Sequence, residues 1–184
     1  MDHVDLVLTQ WRQERPDLDV APMGTLGRMK RLSHHLEREM EKTFATFGLN
    51  RASFDVMATL RRSGPPYALS PGDLMASTMV TSGTMTNRID QLEKAGLVIR
   101  VRNPEDGRGF LVSLSARGRE IIEDAVTAHV ATQASLIAVL DDEQRAQLDD
   151  LLRSFLSGLE AESAPSPTGA KPGSADRHDE PPDR

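Results

Sequence analysis

The sequence predicts a mainly α-helical fold carrying one small β-hairpin, and three observations carry that prediction. Apolar residues recur at spacings of three and four through most of the chain, the pattern of amphipathic helices. Glycine, proline and short polar capping residues divide the pattern into segments of helical length. The period changes once, between Leu97 and Leu114, where two β-branched runs flank a polar, glycine-bearing loop.

Taken in order, Val4, Leu8 and Trp11 mark a short first helix over residues 4–14, stopped by Pro16. A long helix is expected from Met23 to Phe47, with the stripe Leu26, Met29, Leu32, Leu36, Met40, Phe44 and Phe47 ending at Gly48. Asn50 is placed to cap the next helix, which carries Phe54, Val56, Met57, Ala58 and Leu60 to about Arg62. Ser63-Gly64-Pro65-Pro66 is a turn. Ser70-Pro71-x-Asp73 opens a short helix, with a cap hydroxyl, a proline first and an acid third, ending near Met79. Thr81 or Ser82 caps another, running to Ala95 and closing at Gly96. The runs Leu97–Arg102 and Phe110–Leu114 then form the hairpin. Ser115 caps a long helix to about Leu140, and Asp141-x-x-Gln144 opens the last one, with Leu148, Leu151, Leu152, Phe155 and Leu159.

Composition bounds what this fold does. The chain has 184 residues and no cysteine, which excludes a disulfide framework, a thiolate zinc site and a cysteine nucleophile. Its 38% hydrophobic and 27% charged residues suit a buried core. No apolar run approaches the ~20 residues of a membrane span, and the acidic start lacks the features of a signal peptide, so a cytoplasmic protein without membrane contact is expected. Three segments are expected: residues 1–22 as an extra helix and linker, 23–159 as the folded domain, and 160–184 as a disordered acidic tail holding five of the eleven prolines. No P-loop, GxSxG or HExxH pattern occurs, and the five histidines show no ligand spacing, so neither an enzyme nor a metal site nor any cofactor is expected.

The net charge of −6 argues against a general nucleic-acid coat, yet the charge is uneven. Between Val80 and Arg119 seven basic side chains face four acidic ones. That segment is also where short helix, turn, helix and basic hairpin follow one another, the order of a winged helix-turn-helix. On a helical wheel Met85, Ile89 and Leu92 point inward from its second helix, while Thr84, Asn87, Gln91 and Lys94 point outward without negative charge. Small hydroxyls and an amide suit close approach to base edges and phosphates. A solvated helix face beside a surface hairpin is the plain alternative, and a winged helix serving only as a protein-interaction module is another. The local charge reversal favours double-stranded DNA.

Two stretches, Thr81-Ser82-Gly83-Thr84-Met85-Thr86-Asn87-Arg88-Ile89-Asp90-Gln91-Leu92-Glu93-Lys94-Ala95-Gly96-Leu97-Val98 and Asp106-Gly107-Arg108-Gly109, resemble the core of the MarR family of bacterial transcription regulators. With the flanking helices the resemblance covers about Met23 to Leu159. It implies a homodimer joined through N- and C-terminal helices, a pseudo-palindromic operator, a recognition helix in the major groove and a wing arginine in the minor groove. The DNA-facing residues are then Ser82, Thr84, Thr86 and Asn87, with Arg108 as the wing arginine held by Asp106. Gly107 and Gly109 stand where many members have bulkier residues.

The resemblance extends to the urate-responsive, UrtR-like subfamily. Trp11-x-x-Glu14-Arg15-Pro16-Asp17-Leu18-Asp19 is similar to its N-terminal signature. Trp11, Asp55, Arg88 and Arg100 fall on its ligand positions, which implies urate or a related purine as effector; related sets answer to small carboxylates such as trans-aconitate. The residues themselves leave plainer roles open. Trp11 suits a packing anchor. Asp55, among apolar neighbours, reads as a buried carboxylate that Arg100 would pair, and Arg88 suits a phosphate contact.

Overall fold

The computed structural model describes residues 1–78, 81–104 and 109–163. They fall into two compact units, Met1–Val139 and a second that begins at Leu140.

The first unit starts with α1 (His3–Glu14). Asp2 caps it by accepting from the backbone N–H groups of Val4 and Asp5, while the Asp5 carboxylate accepts from the Asp2 N–H, a reciprocal box of acids. Arg28 of α2 (Ala21–Ala45) ties both carboxylates to the long helix. Val4, Leu8 and Val20 form a small core separate from the main one. A Cβ on Gly24 would lie 3.1 Å from Leu8, and one on Gly27 would lie 3.4 Å from Val4. The two glycines therefore let α1 lie close on α2, running antiparallel to it.

α2 ends two residues before the expected Phe47, and Gly48 takes φ +69 to reverse the chain. Asn50 accepts from the Ser53 N–H and opens α3 (Arg51–Arg62), as its position indicates. Next comes β1 (Ala68–Leu69), which the sequence reading lacked, then α4 (Pro71–Thr78) and α5 (Ser82–Lys94). Gly96, at φ +70, leads into β2 (Val98–Arg102) and β3 (Phe110–Leu114). The hairpin is thus part of a three-stranded antiparallel sheet in the order β1-β3-β2, with Ala68 opposite Ser113 and Val98 opposite Leu114. Two residues cannot display an alternation, so β1 leaves no pattern to read.

α6 (Ala116–Ile137) completes the first unit, capped by Ser115 as expected. The main core gathers residues from the elements after α1: Phe44 from α2, Val56, Met57 and Leu60 from α3, Leu74 from α4, Met85, Ile89 and Leu92 from α5, Val98 and Val112 from the sheet, and Ile122 and Ala125 from α6. The helix-turn-helix and the wing are therefore pinned to one apolar cluster.

The second unit holds α7 (Asp142–Ser163). Asp141 accepts from the Gln144 N–H at 2.9 Å, and the Gln144 side chain accepts from the Asp141 N–H at 3.1 Å, the capping box expected there. The helix runs four residues past the expected end at Leu159. The rest of the acidic tail lies outside the described residues. Leu151, Leu156 and Leu159 form an apolar row that is 70%, 57% and 50% exposed.

Candidate nucleic-acid interface and ligand residues

α5 presents two faces. Met85, Ile89 and Leu92 are buried, and Ser82, Thr84, Thr86, Asn87, Gln91 and Lys94 are exposed, as the wheel indicates. Thr81 stands at the N-cap position without capping through its side chain, and its hydroxyl instead meets that of Thr84 at 3.0 Å. The Thr86 hydroxyl donates to the Ser82 carbonyl. Gln91 donates to the Asn87 carbonyl oxygen at 2.9 Å, which leaves the Asn87 amide N–H groups facing outward as donors. The first turn of α5 carries no acid, so its free N–H groups favour an anion such as a phosphate. The wing residues Asp106 and Arg108 lie outside the described residues.

Arg100, on β2, donates to the carboxylates of both Asp90 and Glu93 on α5, and its guanidinium lies 5.1 Å from the Phe110 ring centre. One cation thus joins the wing to the recognition helix. The expectation that Arg100 would pair Asp55 is corrected: both of its partners are on the neighbouring helix, one turn apart and facing β2. Arg88, half-buried on the flank of α5, makes no ion pair or hydrogen bond among the described residues.

Asp55 is also corrected. Its side chain is 44% exposed rather than buried, and its ion-pair partner is Arg51 of the same helix at 4.0 Å. Arg51 also meets Glu37 of α2 at 3.6 Å. Beside Asp55 the rings of Phe44, Phe54 and His129 pack together, with Phe44 and Phe54 stacked at 4.2 Å and His129 at 4.9 Å from Phe54. The apolar neighbours read around Asp55 face inward, while the carboxylate itself points off their edge.

His129 was not singled out by the sequence, because a lone histidine in an amphipathic helix carries no spacing signal. Its Nδ1 is buried and has no hydrogen-bond partner among the described residues. Burial pushes its pKa below the ordinary 6.5, and the Asp55 carboxylate pulls partly the other way. A lowered histidine pKa means that the unfolded chain binds the proton more readily. Stability is therefore full above 6.5 and lost as pH falls below it toward the folded-state pKa. The melting temperature is expected to drop between pH 7.5 and 5.5, and His129→Phe is expected to flatten that drop in a differential scanning series.

Trp11 is 41% exposed near the end of α1 and belongs to neither core. The four ligand candidates are not brought together within one chain. Arg88 and Arg100 share the α5–β2 junction and Asp55 lies beside Arg51, but Trp11 sits at the far end of α2. Among the described residues there is no cluster of metal-ligating side chains, and no helix is long and apolar enough to cross a membrane.

Comparison with known proteins agrees with this architecture. A family model described as the MarR family matches residues 47–109, from the end of α2 to the start of β3. The chain is 37% identical over 146 residues to the HTH-type transcriptional regulator PecS of Dickeya dadantii (strain 3937), across 79% of this chain and 88% of that protein. It is similar in structure to a MarR variant from E. coli solved in complex with operator DNA, with TM-score 0.63, 25% identity, and coverage of 79% and 97% of the two chains. It is also similar to BpsR of Bordetella bronchiseptica, described in terms of regulation of its DNA binding by 6-hydroxynicotinic acid, with TM-score 0.62, 25% identity, and coverage of 75% and 95%. These relatives are regulators rather than enzymes, and on this identity and coverage the chain belongs to the MarR family.

Proposed function

We propose that the chain is a dimeric, DNA-binding transcriptional repressor, released from a pseudo-palindromic operator by a small planar anion, with urate or a related purine as the effector. The DNA-binding part draws support from the exposed hydroxyl and amide face of α5 and from the operator complex of the E. coli relative. The observation that carries the ligand response is the position of Arg100. Its guanidinium holds Asp90 and Glu93 of the DNA-reading helix, so an anion that competes for Arg100 frees that helix from the wing. Arg88, half-buried on the same helix and without an ion pair among the described residues, supplies a second cation. Guanidinium forks suit the oxygens of a flat anion, and an indole face suits its ring. Asp55 repels the same charge from the body side. Release requires that the anion bind the non-reading arrangement more tightly than the reading one.

A second reading keeps the mechanism and changes the effector to an aromatic acid or a small carboxylate such as trans-aconitate. The BpsR relative favours it, because 6-hydroxynicotinic acid is a planar heterocyclic carboxylate.

The test is release of DNA, selected from a random duplex pool, by urate, other purines, 6-hydroxynicotinate and trans-aconitate in parallel. Release by urate at the lowest concentration is the expected result. Release by the acids alone would move the assignment to the second reading. Asn87→Ala is expected to lose about 1–3 kcal/mol of discrimination at one base position, read by competition between selected and altered duplexes. Arg108→Ala is expected to weaken binding to every duplex and to lower the salt slope by about one. If both variants protect the selected site with the parent's affinity, the DNA surface has been misplaced. Light scattering at micromolar concentration is expected to give a dimer.

A further inference from the structure

Asn87 and Gln91 both stand on the exposed face of α5, one turn apart, so their side chains are neighbours about 6 Å apart along the axis. The Gln91 side-chain N–H donates to the Asn87 Oδ1 at 2.9 Å. The fold does not need that bond. Neither amide has another hydrogen-bond partner among the described residues, and an exposed pair at this spacing adds little to a helix. Its effect is on polarity. A free asparagine amide offers its oxygen and its nitrogen together, which is how it pairs with adenine, taking from N6 and giving to N7. Once Gln91 holds the oxygen toward the next turn, the nitrogen with its two hydrogens is the end left to the groove. The hydroxyls of the same face do not choose a base in this way. Those of Thr81 and Thr84 share one hydrogen bond in which either is the donor, and Thr86 commits its hydrogen to the Ser82 carbonyl.

We infer that Asn87 reads a guanine by donation, and that Gln91 is the positioning residue that makes it a donor. The inference rests on the DNA-binding reading above and adds to it the base that is read and the residue that selects it. In the major groove guanine presents two acceptors, O6 and N7. Adenine sets a donor beside its acceptor, cytosine presents a donor, and thymine presents one acceptor beside a methyl group. An amide nitrogen with two free hydrogens matches guanine. Against adenine N6 or cytosine N4 it meets donor with donor, and a donor left unpaired in a closed interface is costly. Gln91 also restrains the Asn87 side chain before DNA arrives, so less rotamer freedom is lost on binding. The pairing thus turns a side chain of ambiguous polarity into one that gives hydrogens only.

The test uses the full chain and duplexes that the parent selects from a random pool. The position read by Asn87 is the one whose preference disappears in Asn87→Ala. Guanine is expected there, preferred over adenine about five- to hundredfold; adenine, cytosine or thymine overturns the assignment. Exchanging that guanine for 7-deazaguanine, which lacks the N7 acceptor, is expected to weaken the parent about three- to tenfold and to leave Asn87→Ala unaffected. Equal loss in both proteins would give that contact to another group and overturn the inference. Gln91→Glu reverses the pair. A carboxylate only accepts, so Asn87 then turns its nitrogen to residue 91 and its oxygen to the groove. Preference at the same position is expected to move from guanine to adenine or cytosine. It is read as a ratio of affinities for two duplexes, so the added negative charge, which weakens both, cancels. Gln91→Ala is expected to bind the guanine and adenine duplexes almost equally. Guanine kept at the parent's ratio by both variants overturns the positioning role. So does a loss of preference in Gln91→Ala at a position that Asn87→Ala leaves intact, because Gln91 would then read a base itself. A pool that yields no enriched duplex removes the DNA-binding reading, and the base assignment falls with it; enriched duplexes without that guanine remove the assignment alone.

Discussion

Gly118→Ala is expected to lower stability by about 3 kcal/mol or more, at the upper end of what overpacking a closed site costs. For a domain of this size that is a fall of about 6–12 °C in melting temperature. The reason is local and severe. A Cβ on Gly118 would lie 1.9 Å from the Leu97 carbonyl oxygen and 2.8 Å from its carbon. That carbonyl accepts from the Ser115 N–H at 3.0 Å, while the Ser115 hydroxyl donates to the Gly96 carbonyl at 2.7 Å and accepts from the Gly118 N–H at 2.9 Å. The start of the wing and the start of α6 are therefore laced through one residue without a side chain. Relief requires the two backbones to part by about an ångström, which breaks those bonds. A scanning-calorimetry trace within 2 °C of the parent would show that the backbones do not run so close.

Arg100→Ala is expected to have the largest functional effect. A charge-assisted hydrogen bond contributes about 1.5–3 kcal/mol, so the concentration of urate that releases half the DNA should rise about ten- to hundredfold. The effect on folding should be small. Arg100, Asp90 and Glu93 are all about a third or more exposed, and pairs of that kind contribute under about 1 kcal/mol. The variant should also free α5 from the wing, so its DNA affinity should fall and become less dependent on urate. Arg100→Lys should recover part of the affinity for DNA but not the response, because an ammonium cannot fork between two carboxylates and then exchange them for a planar anion. Titrating all three proteins with urate on one labelled duplex separates the two effects. An unchanged half-release concentration for Arg100→Ala would remove this arginine from the switch.

The helices, their caps and the hairpin were legible because each rests on short-range chemistry. Asn50, Ser70, Ser115 and Asp141 stand where a helix leaves N–H groups unpaired. The inward face of α5 follows from a period that Met85, Ile89 and Leu92 display plainly. What was not legible depends on partners distant in the sequence. Asp55 has apolar neighbours in sequence, which suggested burial, but they turn away from it and its nearest cation is four residues upstream. β1 owes its existence to an edge offered by β3. Tyr67, at φ +59 between Arg61 and Arg119, with its ring 5.0 and 4.6 Å from their guanidinium carbons, belongs to the same class. The distance along α2 between Trp11 and Asp55 was not legible either, since it depends on the packing of α1 and α3 on opposite ends of one helix.

The small core of Val4, Leu8 and Val20 has a kinetic consequence. α1 is held by three buried side chains, two glycine contacts and the exposed Arg28 pair, and it shares no residue with the main cluster. Such a segment opens as its own cooperative unit, with a free energy well below that of global unfolding. Its amides should exchange with deuterium in seconds to minutes while those of α3 and α6 remain protected. Substitutions at Gly24 or Gly27, where α1 packs on α2, should raise the exchange rate of the α1 amides and leave those of α3 and α6 unchanged.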